Sequence, residues 1–238
     1  MPISTILSAS SDHKLVLSHY EPGEESRAHR HGCWQVSLLL AGGYVEDSLD
    51  GARVVDRVSL SRKPGGFEHQ NLFGAAGALI LSVHGGVGTA NPLRYQVAAC
   101  ASRETGRALL EQAGARGGQE PEAAGSHDDR PVSVPAWLDE ARQRLTELPP
   151  APVARLARSM ERHPIAFARA FRTAFGRPPS QFRQDWRAAS AIDRIVRSDL
   201  ALAEVAIATG FADQAHMTRA VTAAAGWSPA ALRRLLSR

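Results

Sequence analysis

The stretch from Ala113 to Pro135, AGARGGQEPEAAGSHDDRPVSVP, holds Gly, Ala, Pro and charged residues and almost no large apolar side chain. Such a segment cannot bury enough apolar surface to offset the ordering of its own backbone, so it reads as a linker. It divides the 238-residue chain into two parts, each long enough to bury a core. The expected organisation is a first domain at 1–112 with a trailing helix, a flexible linker at 113–134, and a second domain at 135–238.

The hydrophobic period changes across that stretch. Before it, WQVSLLLAGGYVEDSL begins with short-period apolar residues and breaks at Gly42 and Gly43. ARVVDRVSLSRKPGGFEHQN alternates and turns at Pro64, Gly65 and Gly66, and GALILSVHGG is a short apolar run closed by glycines. Several short strands joined by Gly and Pro turns suggest a small sandwich or barrel. RYQVAACASRETGRALLEQAG then reads as a helix, with Val97, Leu109 and Leu110 among its apolar positions.

After it the period is 3.6. Helices are expected at 135–148, 152–160, 163–176, 179–199, 200–210 and 213–226. Phe167, Ala170, Phe171, Ala174 and Phe175 share one face of the third, and Gly176 stops it. Phe182, Trp186, Ala189, Ile192 and Val196 form the stripe of the long fourth helix, and Trp186 and Trp227 read as core anchors. Taken together these helices form two similar units: a short helix, a tight turn, then a helix with an exposed polar face. A long helix joins them. In such a helix-turn-helix unit the first helix braces the second, whose N-terminal residues enter the major groove. In the second unit Asp213 is a good N-cap and Met217, Val221 and Ala224 face inward. That leaves Gln214, Ala215, Thr218 and Arg219 outward. Gln can bind adenine and Arg can bind guanine in bidentate fashion, and Ala or Thr methyls can meet the thymine methyl. In the first unit Ile165, Ala168, Arg169 and Arg172 face outward. His216, at the edge of the buried face, reads as a packing or phosphate-contacting residue.

Charge supports the same reading. Residues 1–130 carry 12 basic and 15 acidic residues, whereas residues 131–238 carry 16 Arg, no Lys and 9 acidic residues. Arg presents a planar fork suited to phosphate and guanine, and a basic half beside a mildly acidic one points to nucleic acid. Cys33 and Cys100 form no disulfide framework, no apolar run approaches bilayer length, and MPISTILSAS lacks the regions of a secretory signal, so a cytoplasmic protein without membrane contact is expected. No phosphate-binding Gly-rich loop and no nucleophile motif is evident, so enzymatic activity is not expected.

Residues 152–236 resemble the DNA-binding domain of the AraC/XylS transcription regulators. The resemblance lies in AIATGFADQAHMTRAVTAAAGWSP, in LARSM and FARAFRTAFGRPPSQF of the first unit, and in Arg187, Ala191 and Ile195 of the joining helix. It implies base-facing roles for Ile165, Ala168 and Arg169 in one unit and for Gln214, Ala215, Thr218 and Arg219 in the other. Arg172 is expected at phosphate. The chain departs from the family pattern at Glu161, Arg162 and His163 in the first turn, and His163 is expected to cap poorly. The first half resembles a cupin barrel through HRHGCWQ, with His29, His31 and Gln35, and PGGFEH, with His69. This implies an α+β protein: a cupin-like barrel followed by an all-α domain with two helix-turn-helix units. The barrel mouth at His29, His31, Gln35 and His69 is the expected effector site. No cofactor is expected; His29, His31 and His69 are the candidate ligands for a metal, and Gln35 stands where the family has Glu. The reading is a sequence-specific transcription regulator whose partners are double-stranded promoter DNA, a small-molecule effector and RNA polymerase, acting as a monomer or homodimer. The alternatives are a cupin-type metalloenzyme carrying a DNA-binding tail, and a non-specific DNA-coating protein.

Overall fold

A computed structural model describes residues 2–49, 51–86, 95–115 and 134–236. Most of the expected linker, 116–133, lies outside them, while Ala113 and Ala115 still belong to a helix. The first half is one folded-over antiparallel sheet of eight strands. These are β1 (Ile3–Ala9), β2 (His13–Tyr20), β3 (Glu25–Arg30), β4 (Gln35–Ser48), β5 (Arg53–Val55), β6 (Ser59–Lys63), β7 (Glu68–Gly85) and β8 (Gln96–Ala99). Strands β4 and β7 are the long ones, and each pairs with different neighbours along its two halves. Their shared bend has a local cause. Gly42 and Gly77 take positive φ of 81° and 65°, and a Cβ on Gly42 would strike the Gly77 carbonyl. The register slips there, between Leu39 and Ala41 and between Gly42 and Tyr44, so the strands curl instead of lying flat.

Helix α1 (Arg103–Ala115) packs Leu110 and Ala113 on the sheet. The expected helix over 94–114 is therefore corrected at its start: Val97 lies in β8 opposite Ser61 of β6. A short apolar run beside a true helix has no periodicity of its own to separate the two.

The second half is all helix: α2 (Ala136–Arg144), α3 (Val153–Ser159), α4 (Pro164–Phe175), α5 (Pro179–Arg197), α6 (Leu202–Ala208), α7 (Gln214–Ala225) and α8 (Pro229–Leu236). Proline opens α4, α5 and α8, where its missing N–H costs nothing. Leu138, Leu145, Leu156, Phe167, Phe171 and Phe182 make a core for the first unit alone. The second unit has none of its own. Its Met217, Val221 and Leu232 join Ile192 and Ile195 of α5 and continue into Leu17, Leu38 and Leu81 of the sheet. Helix α5 packs directly on β4 and β7.

Candidate DNA-reading faces and barrel mouth

In the second unit the chain turns from α6 to α7 through Thr209, Gly210 and Phe211. The Thr209 hydroxyl donates to the Val205 carbonyl (2.7 Å), and the Phe211 amide donates to the Ala206 carbonyl (3.0 Å). Phe211 is buried and pins the turn to the core. The Asp213 carboxylate then accepts from the His216 amide at 2.7 Å and starts α7. Met217 and Val221 are fully buried, so rotation about the helix axis is fixed. Gln214, Ala215 and Arg219 are consequently exposed and Thr218 half-buried. His216 packs edge-on against Phe211, with ring centroids 5.2 Å apart.

The first unit follows the same plan with a looser turn. Glu161 takes the left-handed conformation, φ 56°, that favours glycine. His163 caps α4 only at long range: its Nδ1 accepts from the Ile165 amide at 3.4 Å. Phe167 and Phe171 are fully buried, which turns Ile165, Arg169 and Arg172 to solvent and leaves Ala168 half-buried. Among the described residues, Arg169, Arg172 and Arg219 have no ion-pair partner within the chain. Three unpaired guanidinium groups on two helix faces are well placed to meet phosphate or guanine.

At the barrel, strand pairing sets His29 of β3 opposite His69 of β7. His31 follows just beyond β3. Their ring centroids are 4.5 Å (His29–His69), 4.8 Å (His29–His31) and 5.2 Å (His31–His69) apart. Nδ1 of His29 lies 2.8 Å from the Arg27 carbonyl, to which it can only donate, so its Nε2 keeps the lone pair. Burial lowers the pKa of His31 to about 4 and of His69 to about 3, with His29 and Lys63 adding to both shifts. Both rings are neutral near pH 7. A metal here would be held by His29, His31 and His69, whose donor atoms lie within 4.8 Å of one another. Gln35 does not join them; its amide reaches Ser82 at 3.4 Å. The cluster therefore offers three imidazole nitrogens, and among the described residues no carboxylate joins it as a fourth ligand.

Two further residues belong to this mouth. Gln35 pairs across the sheet with both Lys63 and His84. His84 sits 6.1 Å from His31, and burial, with Lys14 and Lys63, lowers its pKa to about 4. Lys63 is itself buried against Glu46 (2.7 Å), whose other oxygen accepts from the Tyr95 hydroxyl at 2.6 Å. No local motif marks either residue; only strand register brings them in.

A cavity lies elsewhere, at the seam between barrel and first unit. It measures about 620 Å³ and is lined by Leu39, Tyr44 and Phe73 on the barrel side and Arg142, Arg177 and Trp186 on the helical side. Asp185 at its edge receives Arg177 (3.0 Å) and Gln181 (2.9 Å), with Arg103 at 3.5 Å. Trp186, expected in the core, is half-buried at this cavity wall.

Residues 156–235 match the family described as a helix-turn-helix domain. No curated protein matches the sequence. Among solved structures, the chain is similar to the C-terminal domain of AraT, a response regulator from Geobacillus stearothermophilus, at 19% identity over 45% of this chain and 91% of that one, TM-score 0.43. It is similar to a cupin domain from Bordetella pertussis at 19% identity over 35% and 92%, TM-score 0.31. It is also similar to ToxT from Vibrio cholerae at 8% identity over 95% and 100%, TM-score 0.41.

Proposed function

We propose that this chain is a DNA-binding transcription regulator of the AraC/XylS type, in which each of its two reading faces engages one major groove of a promoter site while the barrel answers a small molecule. The observation that carries the reading is the repeated unit. Two capped helices, each fixed in rotation by a buried apolar face, turn Ile165, Ala168, Arg169 and Arg172 and Gln214, Ala215, Thr218 and Arg219 outward. Two helices on one joining helix engage one face of DNA when their sites lie about one turn, ~34 Å, apart. The test is genome-wide recovery of bound fragments, followed by insertion of five base pairs between the two protected segments. Loss of specific binding is expected; unchanged affinity would rule out simultaneous engagement. This role needs no catalysis, is performed in the cytoplasm, and implies contact with RNA polymerase at the promoter.

The effector is assigned to His29, His31, Gln35 and His69. Support comes from the three clustered imidazoles and from the Nδ1 atom of His69, buried without a hydrogen-bond partner. A His31→Ala/His69→Ala variant should bind operator DNA and lose its response to the inducing condition. The seam cavity favours a second reading, because 620 Å³ of largely apolar wall edged by arginines suits an organic anion with an apolar body. Filling that cavity with Ala75→Trp separates the two sites. The assignment to the imidazoles fails if this variant loses the response and the histidine variant keeps it.

A further inference from the structure

Both recognition helices end on a left-handed glycine, and a guanidinium of the barrel half lies at that glycine each time. Helix α4 ends at Gly176 and α7 at Gly226, with φ of 70° and 81°. A helix leaves its last carbonyls unpaired and carries the negative end of its dipole there. Arg107 of α1 donates through Nη2 to the carbonyl of Ala225, the last residue of α7. Its guanidinium also lies over the Trp227 ring, 4.7 Å from the centroid. At the other unit the Arg57 guanidinium, from the loop between β5 and β6, lies against Gly176. A Cβ at Gly176 would strike Arg57, and a Cβ at Gly226 would strike Arg107. Each glycine therefore permits the left-handed turn and also clears room for a guanidinium at the helix end. Beside the first contact, Arg177 donates to the Asp56 carbonyl at 2.6 Å, so the α4 end is tied to that barrel loop twice. Both helices are thus held from behind, and Arg169 and Arg219 remain exposed on the open side.

We propose that Arg57 and Arg107 are positioning residues for DNA recognition: two guanidinium groups of the barrel half each hold the C-terminal end of one recognition helix and so set how the two reading faces are presented together. The proposal rests on the regulator reading. Hydrogen exchange on the full chain tests the contacts without any DNA. The Gly226 amide, bonded to the Thr222 carbonyl, and the Gly176 amide, bonded to the Arg172 carbonyl, report the two ends. Arg107→Ala should speed exchange in the last turn of α7 about tenfold and leave α4 alone, and Arg57→Ala should do the reverse. Lysine at either position keeps the charge and should restore most of the protection. Each alanine variant should also weaken binding to the two-site operator about tenfold, and binding to a fragment carrying only the other unit's site less than twofold. Unchanged exchange overturns the contacts. Faster exchange with unchanged operator binding overturns the positioning role. Wild-type protein that binds all sequences alike overturns the regulator reading and the positioning role with it, while the exchange result still distinguishes the two failures.

Discussion

The two helix-turn-helix units share a plan and differ in what holds them. Met217 and Val221 of the second unit sit in an apolar core that runs without interruption into the sheet. Phe167 and Phe171 of the first sit in a core of their own. What ties the first unit to the barrel is polar: Arg177 to Asp56 and Asp185, Arg57 at Gly176, with a 620 Å³ cavity beside them. Apolar burial is non-directional and close-packed, so the second unit and the sheet share one packed interior. Polar ties at the edge of a cavity are individually weak and can be remade in a second arrangement. The difference teaches that the second unit shares its core with the sheet, whereas the first keeps a core of its own and meets the barrel through separate polar contacts.

Core truncation should break this comparison most visibly. Phe171→Ala is expected to cost about 3–5 kcal/mol, confined to the first unit. Ile192→Ala should cost about 2–5 kcal/mol and lower the stability of barrel and second unit together. Hydrogen exchange resolved by element reads both. Equal loss of protection in β4 and β7 for the two variants would mean that the cores are coupled and the units equivalent.

On DNA the same contrast concerns which unit specifies. Ile165 and Ala168 have no hydrogen-bonding side chain, whereas Gln214 and Arg219 do, so the second unit should read bases and the first should mainly position. Arg219→Ala should cost about 1–3 kcal/mol and relax preference at one base pair. Arg172→Ala should weaken all sequences alike and lower the salt slope by about one. Titrations at several salt concentrations, on operator and scrambled DNA, decide it; identical behaviour of the two variants would remove the base-reading role of Arg219.

Acid should sharpen the contrast at the seams. On the second unit's side His19 of β2 is buried 3.5 Å from Asp193 of α5, which Arg197 also binds at 2.8 Å. Burial lowers the His19 pKa; Asp193 opposes that shift and Arg197 adds to it. The unfolded chain takes up this proton near pH 6.5 and the folded chain only at lower pH. Stability is therefore fully present above about pH 6.5 and is lost as pH falls through the folded value, by up to about 1.4 kcal/mol per pH unit. His31, His69 and His84 shift the same way, the half-buried ones with smaller effect because solvent screens them. Urea unfolding between pH 7.5 and 5 should show this loss, and His19→Gln should flatten its share. The first unit's ties contain no histidine, so its protection should be the less pH-dependent of the two.

Legibility in the sequence followed the range of the interactions. The helices of the second half could be read because their signals are local: Phe167 and Phe171 at period 3.6, Asp213 at one end and Gly176 and Gly226 at others. The imidazole cluster was legible because HRHGCWQ and PGGFEH are contiguous motifs. Lys63 and His84 were not, since strand register alone sets them beside Gln35. The shared core and the seam cavity join residues more than a hundred positions apart, as Leu38 and Ile192 do, and no periodicity reports such a contact.

The smallest expected effect tests the looseness of the first unit at one residue. Glu161 holds φ 56°, a conformation that costs a non-glycine residue about 1–2 kcal/mol because its Cβ crowds the neighbouring carbonyl. The second unit makes its corresponding turn at Gly210, φ 76°, without that strain. Glu161→Gly removes the crowding, but it also gives the unfolded chain more freedom, worth about 0.4–1 kcal/mol in the other direction. The exposed Glu161 side chain contributes little to packing. The net result should be a first unit more stable by up to about 1.6 kcal/mol, with the barrel and second unit unchanged. Exchange of the α3 and α4 amides measures it. A destabilised first unit would show that Glu161 makes a favourable contact that outweighs its backbone strain, and the turn would then be tight by construction.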